Sequence, residues 1–227
     1  MGGYVQHTEN DADSADVDVT VTESAVNAVS AVNTMSVPVS IDDGERSVRV
    51  ATMADFPAIQ AMYARARKLM ADNGNPTQWA DRFPLESTVR TDIEEGRTRL
   101  LVDHAGADGV VRGTERLLAV FVLCPGPDPS YAHIEGAWLD DDDYMAVHRV
   151  AASGLAGHAG RDCLNWAVAR YGNVRMDTHR NNHGMQHVLE SCGFTRCGVI
   201  ELVQREGDAE RLAYQRHDRE RLSSVSE

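Results

Sequence analysis

Apolar and polar positions along the chain alternate, recur at helical spacing or run together, and each pattern predicts an element. Val48-Arg49-Val50 alternates and reads as a short strand. Thr52-Met53-Ala54-Asp55 offers a helix cap, and Ile59, Met62, Tyr63, Ala66, Leu69 and Met70 then recur at helical spacing. Asn73-Gly74-Asn75-Pro76 ends that helix, and Gln78-Trp79 falls in the loop beyond. A second helix is expected over 85–95, closed by Gly96. The apolar runs at 97–103 and 116–123 predict two antiparallel strands joined by a Gly/Asp-rich hairpin.

Pro125-Gly126-Pro127-Asp128-Pro129 breaks the pattern. Strands are expected at 132–139 and 145–152. The second runs into a stretch of mostly small residues, Ser153 to Gly160, and then into a helix carrying Cys163, Leu164, Trp166, Ala167 and Val168. A strand over 174–177, a helix over 182–192 closed by Gly193, and strands over 194–203 and 210–215 complete the reading. This is a mixed α/β (α+β) domain with mostly antiparallel strands, spanning residues 47–216.

Residues 1–46 do not join the pattern. The near-repeat Ala25-Val26-Asn27, Ala28-Val29-Ser30, Ala31-Val32-Asn33 has a period of three, which fits neither a strand nor a helix stripe. This segment carries nine acids and one base, a net of -8 out of -13 for the whole chain of 227 residues, so the body is only mildly acidic. A disordered acidic tail is expected, with docking through its valines as the alternative, and residues 217–227 are expected to be a second flexible tail. The negative balance argues against nucleic acid as a partner, because phosphate neutralisation needs clustered Lys and Arg. The four cysteines, at 124, 163, 192 and 197, form no Cys-x-x-Cys pair. No basic segment leads into an apolar stretch at the N-terminus, and no apolar run approaches the roughly 18 residues of a membrane helix. The expectation is a reduced cytoplasmic protein without a membrane partner, monomeric or homodimeric.

Two places can carry chemistry. The first is the strand–loop–helix unit at 145–168. Bare amides at a helix start attract anions, and small residues let a phosphate come close; an ordinary tight turn is the competing reading. The second is Arg175-Met176-Asp177-Thr178-His179-Arg180-Asn181-Asn182, where a strand ends in polar residues before a helix. Asn182 equally suits a helix cap.

With their spacing, these segments resemble a known family. Asn182-x-x-Met185-x-x-Val188-Leu189-Glu190-Ser191-Cys192-Gly193-Phe194 is similar to the last-helix motif of the GNAT superfamily of N-acetyltransferases. The loop at 153–160 falls where that family binds a pyrophosphate. Gln78-Trp79, His148-Arg149-Val150-Ala151 and Asp177-Thr178-His179 match small bacterial members. The resemblance covers about residues 48–216. It implies the GNAT fold, with about four helices flanking one sheet, and acetyl-CoA as co-substrate, without a metal. Arg149, Val150, Ala151 and Ala152 are then implied to meet the pantetheine amides, and Gly157, His158, Ala159, Gly160 and Arg161 the pyrophosphate. Asn182 and Met185 are implied on the donor side. The loop departs from the family pattern: in either register its first position is Leu155 or Gly154, not Gln or Arg.

The resemblance further implies direct attack of a small-molecule amine on the thioester. The position where the family often has a Tyr acid is Leu189. His179, His148, Tyr144 and Tyr214 are candidates to replace it, His179 first among them, with a turn-fixing role as the alternative for His179. Glu135, or His179 through water, is the candidate base, and an exposed strand acid is the alternative for Glu135. Tyr63, Gln78, Trp79 and Trp138 are candidates for the acceptor wall, with Asp140 to Asp143 beside it. His179, His183 and His187 are spaced by four without an intervening Glu between a helical pair, so no metal site is expected. Two other readings stay open: a GNAT domain that binds acyl-CoA without turnover, and an interaction module acting through the acidic tail.

Overall fold

A computed structural model describes residues 46–103, 115–203, 205 and 207–218. The expected tails and the hairpin tip lie outside the described residues, except where they touch the domain. Arg46 already belongs to the first strand and His217 to the last, so the expected boundaries each move by one residue.

The strands are β1 (Arg46–Val50), β2 (Thr98–Asp103), β3 (Arg116–Pro125), β4 (Glu135–Gly136), β5 (Met145–Ala152), β6 (Asn173–Thr178), β7 (Thr195–Glu201) and β8 (Glu210–His217). The α-helices are α1 (Phe56–Asp72), α2 (Glu86–Glu94), α3 (Ala159–Tyr171) and α4 (His183–Ser191). All the strands form one sheet in the order β1-β2-β3-β5-β6-β8-β7-β4. Every neighbouring pair is antiparallel except β5 and β6. The expected fold class holds. The strand expected over 132–139 does not: a short 3-10 turn, Pro129–Tyr131, precedes only two paired residues. There Gly136 and Gly198 let two backbones approach so closely that a Cβ on either would meet a carbonyl oxygen at 2.2–2.3 Å.

Period-two alternation puts successive β2 side chains on opposite faces. Leu100 and Val102 pack with Ile59, Met62, Tyr63, Val89 and Ile93 of α1 and α2. Leu101 joins the other face, where α3 and α4 bring Cys163, Leu164, Trp166 and Leu189 against Phe121 and Tyr214. The result is three layers, with one helix pair on each side of the sheet.

Arg49 pins the entrance to α1. Its guanidinium meets Asp55 at 2.8 Å and Glu115 at 2.6 Å, and the Asp55 carboxylate also accepts from the Thr52 amide at 2.8 Å. The Arg49 bonds hold the Asp55 carboxyl at about 2, below the ordinary value, against the opposing effect of burial. A depressed carboxyl stabilises the fold above its unfolded pKa of ~3.9, and that stability is lost as pH falls toward the folded value. Asp55→Asn is therefore expected to lower stability by about 1 kcal/mol at pH 7, the usual worth of a cap. The difference from wild type should shrink between pH 5 and pH 3 in urea unfolding. A gap that stays constant across that range would assign the effect to shape rather than to charge.

Candidate active site

Strands β5 and β6 pair at only two registers, Met145↔Val174 and Ala146↔Arg175, yet they run on to Ala152 and Thr178. Beyond Ala146 they part, and the fork opens into a cleft of about 1110 Å³. One side of the fork shows Val150, Ala151 and Ala152, and the other Met176, Asp177 and Thr178. A bulge in β5 shapes this edge. Two residues, Arg149 and Val150, lie opposite Phe121 of β3, and Arg149 takes a φ of +54°. The bulge sends the Arg149 guanidinium to the buried carboxylate of Asp92, at 2.7 Å, while its backbone stays in the cleft wall.

At one end of the cleft, the loop after β5 leads into the first turn of α3. His158 caps the helix with a φ of +64°, and Gly160 lines the cleft. An added Cβ at Gly157 or Gly160 would meet nothing within 4 Å, so a side chain at either position would enter open space. Arg65 of α1 reaches across and lies against Gly154, where an added Cβ would meet its guanidinium at 2.4–2.7 Å. Arg65 lines the cleft and forms no ion pair among the described residues. The Leu155 side chain is exposed, at 61%, and Ala159 is buried beneath the turn.

At the other end lie Asp128, His148 and Asp177, all in the cleft wall. His148 Nε2 is 3.0 Å from Asp128, and its Nδ1 is 3.8 Å from Asp177. The Tyr131 hydroxyl donates to Asp177 at 2.8 Å, and the Ser130 amide donates to Asp128 at 2.8 Å. Burial opposes ionisation of Asp128, but its bond and charge contact with His148, together with the Ser130 amide, hold the carboxyl below its ordinary value. Burial, reinforced by Asp177, pushes the Tyr131 phenol well up, which keeps it a donor.

The remaining expected residues divide. Gln78 and Trp79 line the cleft. The Gln78 side-chain oxygen accepts from both Asn75 (2.7 Å) and Asn182 (2.9 Å), tying the loop after α1 to the start of α4. Asn182 caps α4 through Met185 N at 3.2 Å, and Met185 lines the cleft with Val188. Tyr63 does not reach the cleft: it is buried in the core, edge-on to Trp79 at 5.6 Å between ring centroids. Trp138 lies outside the cleft too, donating to Tyr131 O at 3.1 Å with the Arg175 guanidinium 4.3 Å over its ring. Asp140 is a structural hub that accepts from Asn173 and Gln215, both at 3.1 Å, and pairs with His217 at 2.7 Å.

Neither expected catalyst faces the cleft. Glu135 is exposed on β4 at the far edge of the sheet. His179 is 5% exposed with both ring nitrogens engaged, Nδ1 by the Asn181 amide at 3.1 Å and Nε2 by Asp208 at 3.0 Å. Burial pushes its imidazole below the ordinary value, against the pull of Asp208. It fixes the turn between β6 and α4. Leu189 is fully buried between α4 and the sheet, so a Tyr there would be forced into the core; Val188 is the neighbour that faces the cleft. The Asp128–His148–Asp177 cluster was not assembled from sequence, where Asp128 falls in a Pro/Gly break, His148 in one strand and Asp177 in another.

A three-layer domain whose one parallel strand pair forks beside a small-residue helix start is the GNAT architecture. The solved structures it matches bear this out. One is a GNAT-family acetyltransferase from Streptococcus agalactiae 2603, at 28% identity and a TM-score of 0.61, covering 76% of this chain and 95% of that one. Another is a GNAT-family acetyltransferase from Listeria monocytogenes 4b F2365, at 18% identity and a TM-score of 0.55, covering 80% and 99%. No family model and no curated protein matches the chain. With the motifs read from its sequence, the chain is a member of the GNAT superfamily. No helix among the described residues is long and apolar enough to cross a membrane.

Proposed function

We propose that this protein is an N-acetyltransferase that moves an acetyl group from acetyl-CoA to a primary amine of a small molecule by direct attack. The observation that carries the reading is the fork: it exposes strand-edge amides and carbonyls along a cleft that begins at the open first turn of α3. Those edge groups suit the amides of a pantetheine arm. The amides around Gly157 to Arg161 suit a pyrophosphate, because the N-terminal end of a helix presents unpaired N–H groups and a positive dipole. Arg65 stands where it supplies the positive charge that Leu155 and Gly154 do not. Met176, Met185 and Val188 form an apolar lining, and Gln78 and Trp79 wall the acceptor side.

Acetyl-CoA should raise the melting temperature, since a ligand that binds only the folded state adds about 2.7 kcal/mol at one hundred times its Kd. Turnover is read as free thiol released from acetyl-CoA across a panel of primary amines. Absence of a melting shift at millimolar acetyl-CoA, with the fold confirmed by circular dichroism, overturns the reading. A shift without thiol release on any amine favours a binding-only domain instead.

A further inference from the structure

We propose that His148, held between Asp128 and Asp177, takes the proton from an acceptor that arrives as a primary ammonium ion. This inference rests on the acetyl-transfer reading above and names the proton acceptor of that same cleft.

Position comes first. The last paired register of the fork is Ala146↔Arg175, so His148 and Asp177 are each two residues beyond it, one on each tine. They stand where the sheet has just opened. Asp128 approaches from the turn after β3, and its own amide donates to the Tyr144 hydroxyl at 2.8 Å. All three side chains are mostly buried, at 17% (His148), 18% (Asp128) and 11% (Asp177), yet all line the cleft.

Protonation geometry comes second. Nε2 lies at hydrogen-bond distance from Asp128, so in the neutral ring it carries the hydrogen and donates to that carboxylate. Nδ1 then bears the lone pair. At 3.8 Å from Asp177 it receives no hydrogen bond among the described residues, whereas the corresponding nitrogen of His179 is filled by a backbone amide. A base needs this free lone pair, and a neighbouring carboxylate stabilises the imidazolium that forms.

Charge comes third. The groups facing His148 are Asp128 and Asp177, the Tyr131 ring at 5.9 Å between centroids, and Cys124 of β3 across the cleft wall. The cation Arg211 lines the cleft and faces Asp177 by charge, with Nη1 on the carbonyl oxygens of Asp208 and Glu210 at 2.9 and 2.7 Å, so two carboxylates still stand against this one guanidinium. Arg149 is turned away to Asp92. Two carboxylates facing one imidazole leave this end of the cleft attractive to a cation. The rim beyond it carries Phe83, Pro129, Leu202 and Val203, with the Arg205 guanidinium 4.4 Å over the Phe83 ring. The acceptor that fits is a primary ammonium group on an apolar body.

The step balances as follows. Nδ1 of His148 takes one proton from the ammonium, and the imidazolium passes it to solvent. The freed nitrogen lone pair forms the carbon–nitrogen bond at the thioester carbonyl, and the carbon–sulfur bond breaks with its electron pair on sulfur. A second proton from the nitrogen passes to the thiolate. The products are the N-acetyl amide, CoA thiol and one proton.

The test follows thiol release from acetyl-CoA with hexylamine, 2-phenylethylamine and putrescine between pH 5.5 and 9. It compares wild type, His148→Gln and Asp128→Asn, with acetyl-CoA affinity measured by titration calorimetry. Wild-type kcat/KM should fall toward acid pH. His148→Gln should lower kcat at least ~100-fold, the usual weight of a general base, with acetyl-CoA affinity within threefold of wild type. Asp128→Asn should lower kcat while acetyl-CoA affinity stays within threefold of wild type, a split that a loss of fold would not produce. A His148→Gln enzyme that binds acetyl-CoA and keeps kcat within threefold overturns the inference while the acetyl-transfer reading stands. A wild type that binds acetyl-CoA but acetylates none of these amines overturns the inference; one that binds no acetyl-CoA overturns the reading beneath it as well.

Discussion

Gly160→Asp is expected to weaken acetyl-CoA binding at least ~100-fold while the protein stays as stable as wild type, or becomes slightly more stable. Two effects of one carboxylate run in opposite directions. Gly160 is the second residue of α3, and a side chain there enters open space. An acidic side chain in the first turn of a helix favours folding by about 0.3–1 kcal/mol, because it faces the positive end of the dipole. The same carboxylate would occupy the place proposed for a pyrophosphate, where juxtaposed like charges cost several kcal/mol. Each 1.4 kcal/mol is tenfold in affinity, so a loss of two decades is a modest estimate. Gly160→Asn has the same shape without the charge and should lose far less. Titration calorimetry with acetyl-CoA and thermal melting of both variants decide the matter. Unchanged affinity in Gly160→Asp would make the loop a plain turn.

Asp92→Ala is expected to cost about 1–3 kcal/mol of stability, the range for leaving a polar partner without its bond, because Arg97 keeps Glu95 and both guanidiniums are partly exposed. Asp92 sits on α2 with its side chain 2% exposed, and meets Arg97 at 3.0 Å and Arg149 at 2.7 Å. The Arg149 contact lies off the hydrogen-bond axis, so charge is its main content. Arg149 also holds a left-handed backbone, which costs a non-glycine residue on the order of 1–3 kcal/mol and persists only when its surroundings hold it. Removing Asp92 thus frees the cation that steadies the bulge next to His148. Urea unfolding measures the loss. A cost below 1 kcal/mol would mean that solvent screens this cluster as it does a surface pair.

Much of the architecture was legible because each element announces itself locally. The stripe of Ile59, Met62 and Tyr63 defined α1, and the alternation through β2 assigned its residues to two helix layers. Asn182 and Gly193 bracketed α4 from sequence alone. What stayed hidden depends on contacts between distant segments. The 132–139 segment reads as a strand, but Ile134 and Trp138 pack against the cluster around Tyr131, whose ring lies 5.2 Å from Trp138, and only Glu135 and Gly136 reach β7. The β5 bulge has no glycine to mark it; Arg149 is held there by an acid 57 positions earlier in the chain.

The outline of the cleft was legible and the placing of each candidate side chain was not, for the same reason. Small residues and strand-end polar groups marked both ends of the cleft. His179 and His148 both follow or lie in strands next to the motifs, and sequence gives no means of telling which ring has a free nitrogen. The difference is one backbone amide, that of Asn181, which fills His179. Leu189 and Val188 differ by one helical step, about 100° of rotation, and only packing reveals which of them the core takes.

A sheet resists shear within its plane because every strand is laced to the next along its whole length. Here the lacing between β5 and β6 stops after two rungs, so β1-β2-β3-β5 and β6-β8-β7-β4 are two plates held in alignment chiefly by α3, which packs on β3, β5 and β6. A molecule lodged in the gap that bonds to both plates restores the missing rungs. Occupancy and rigidity then become one variable: the loaded protein is mechanically a continuous sheet, and the empty one a sheet with a seam.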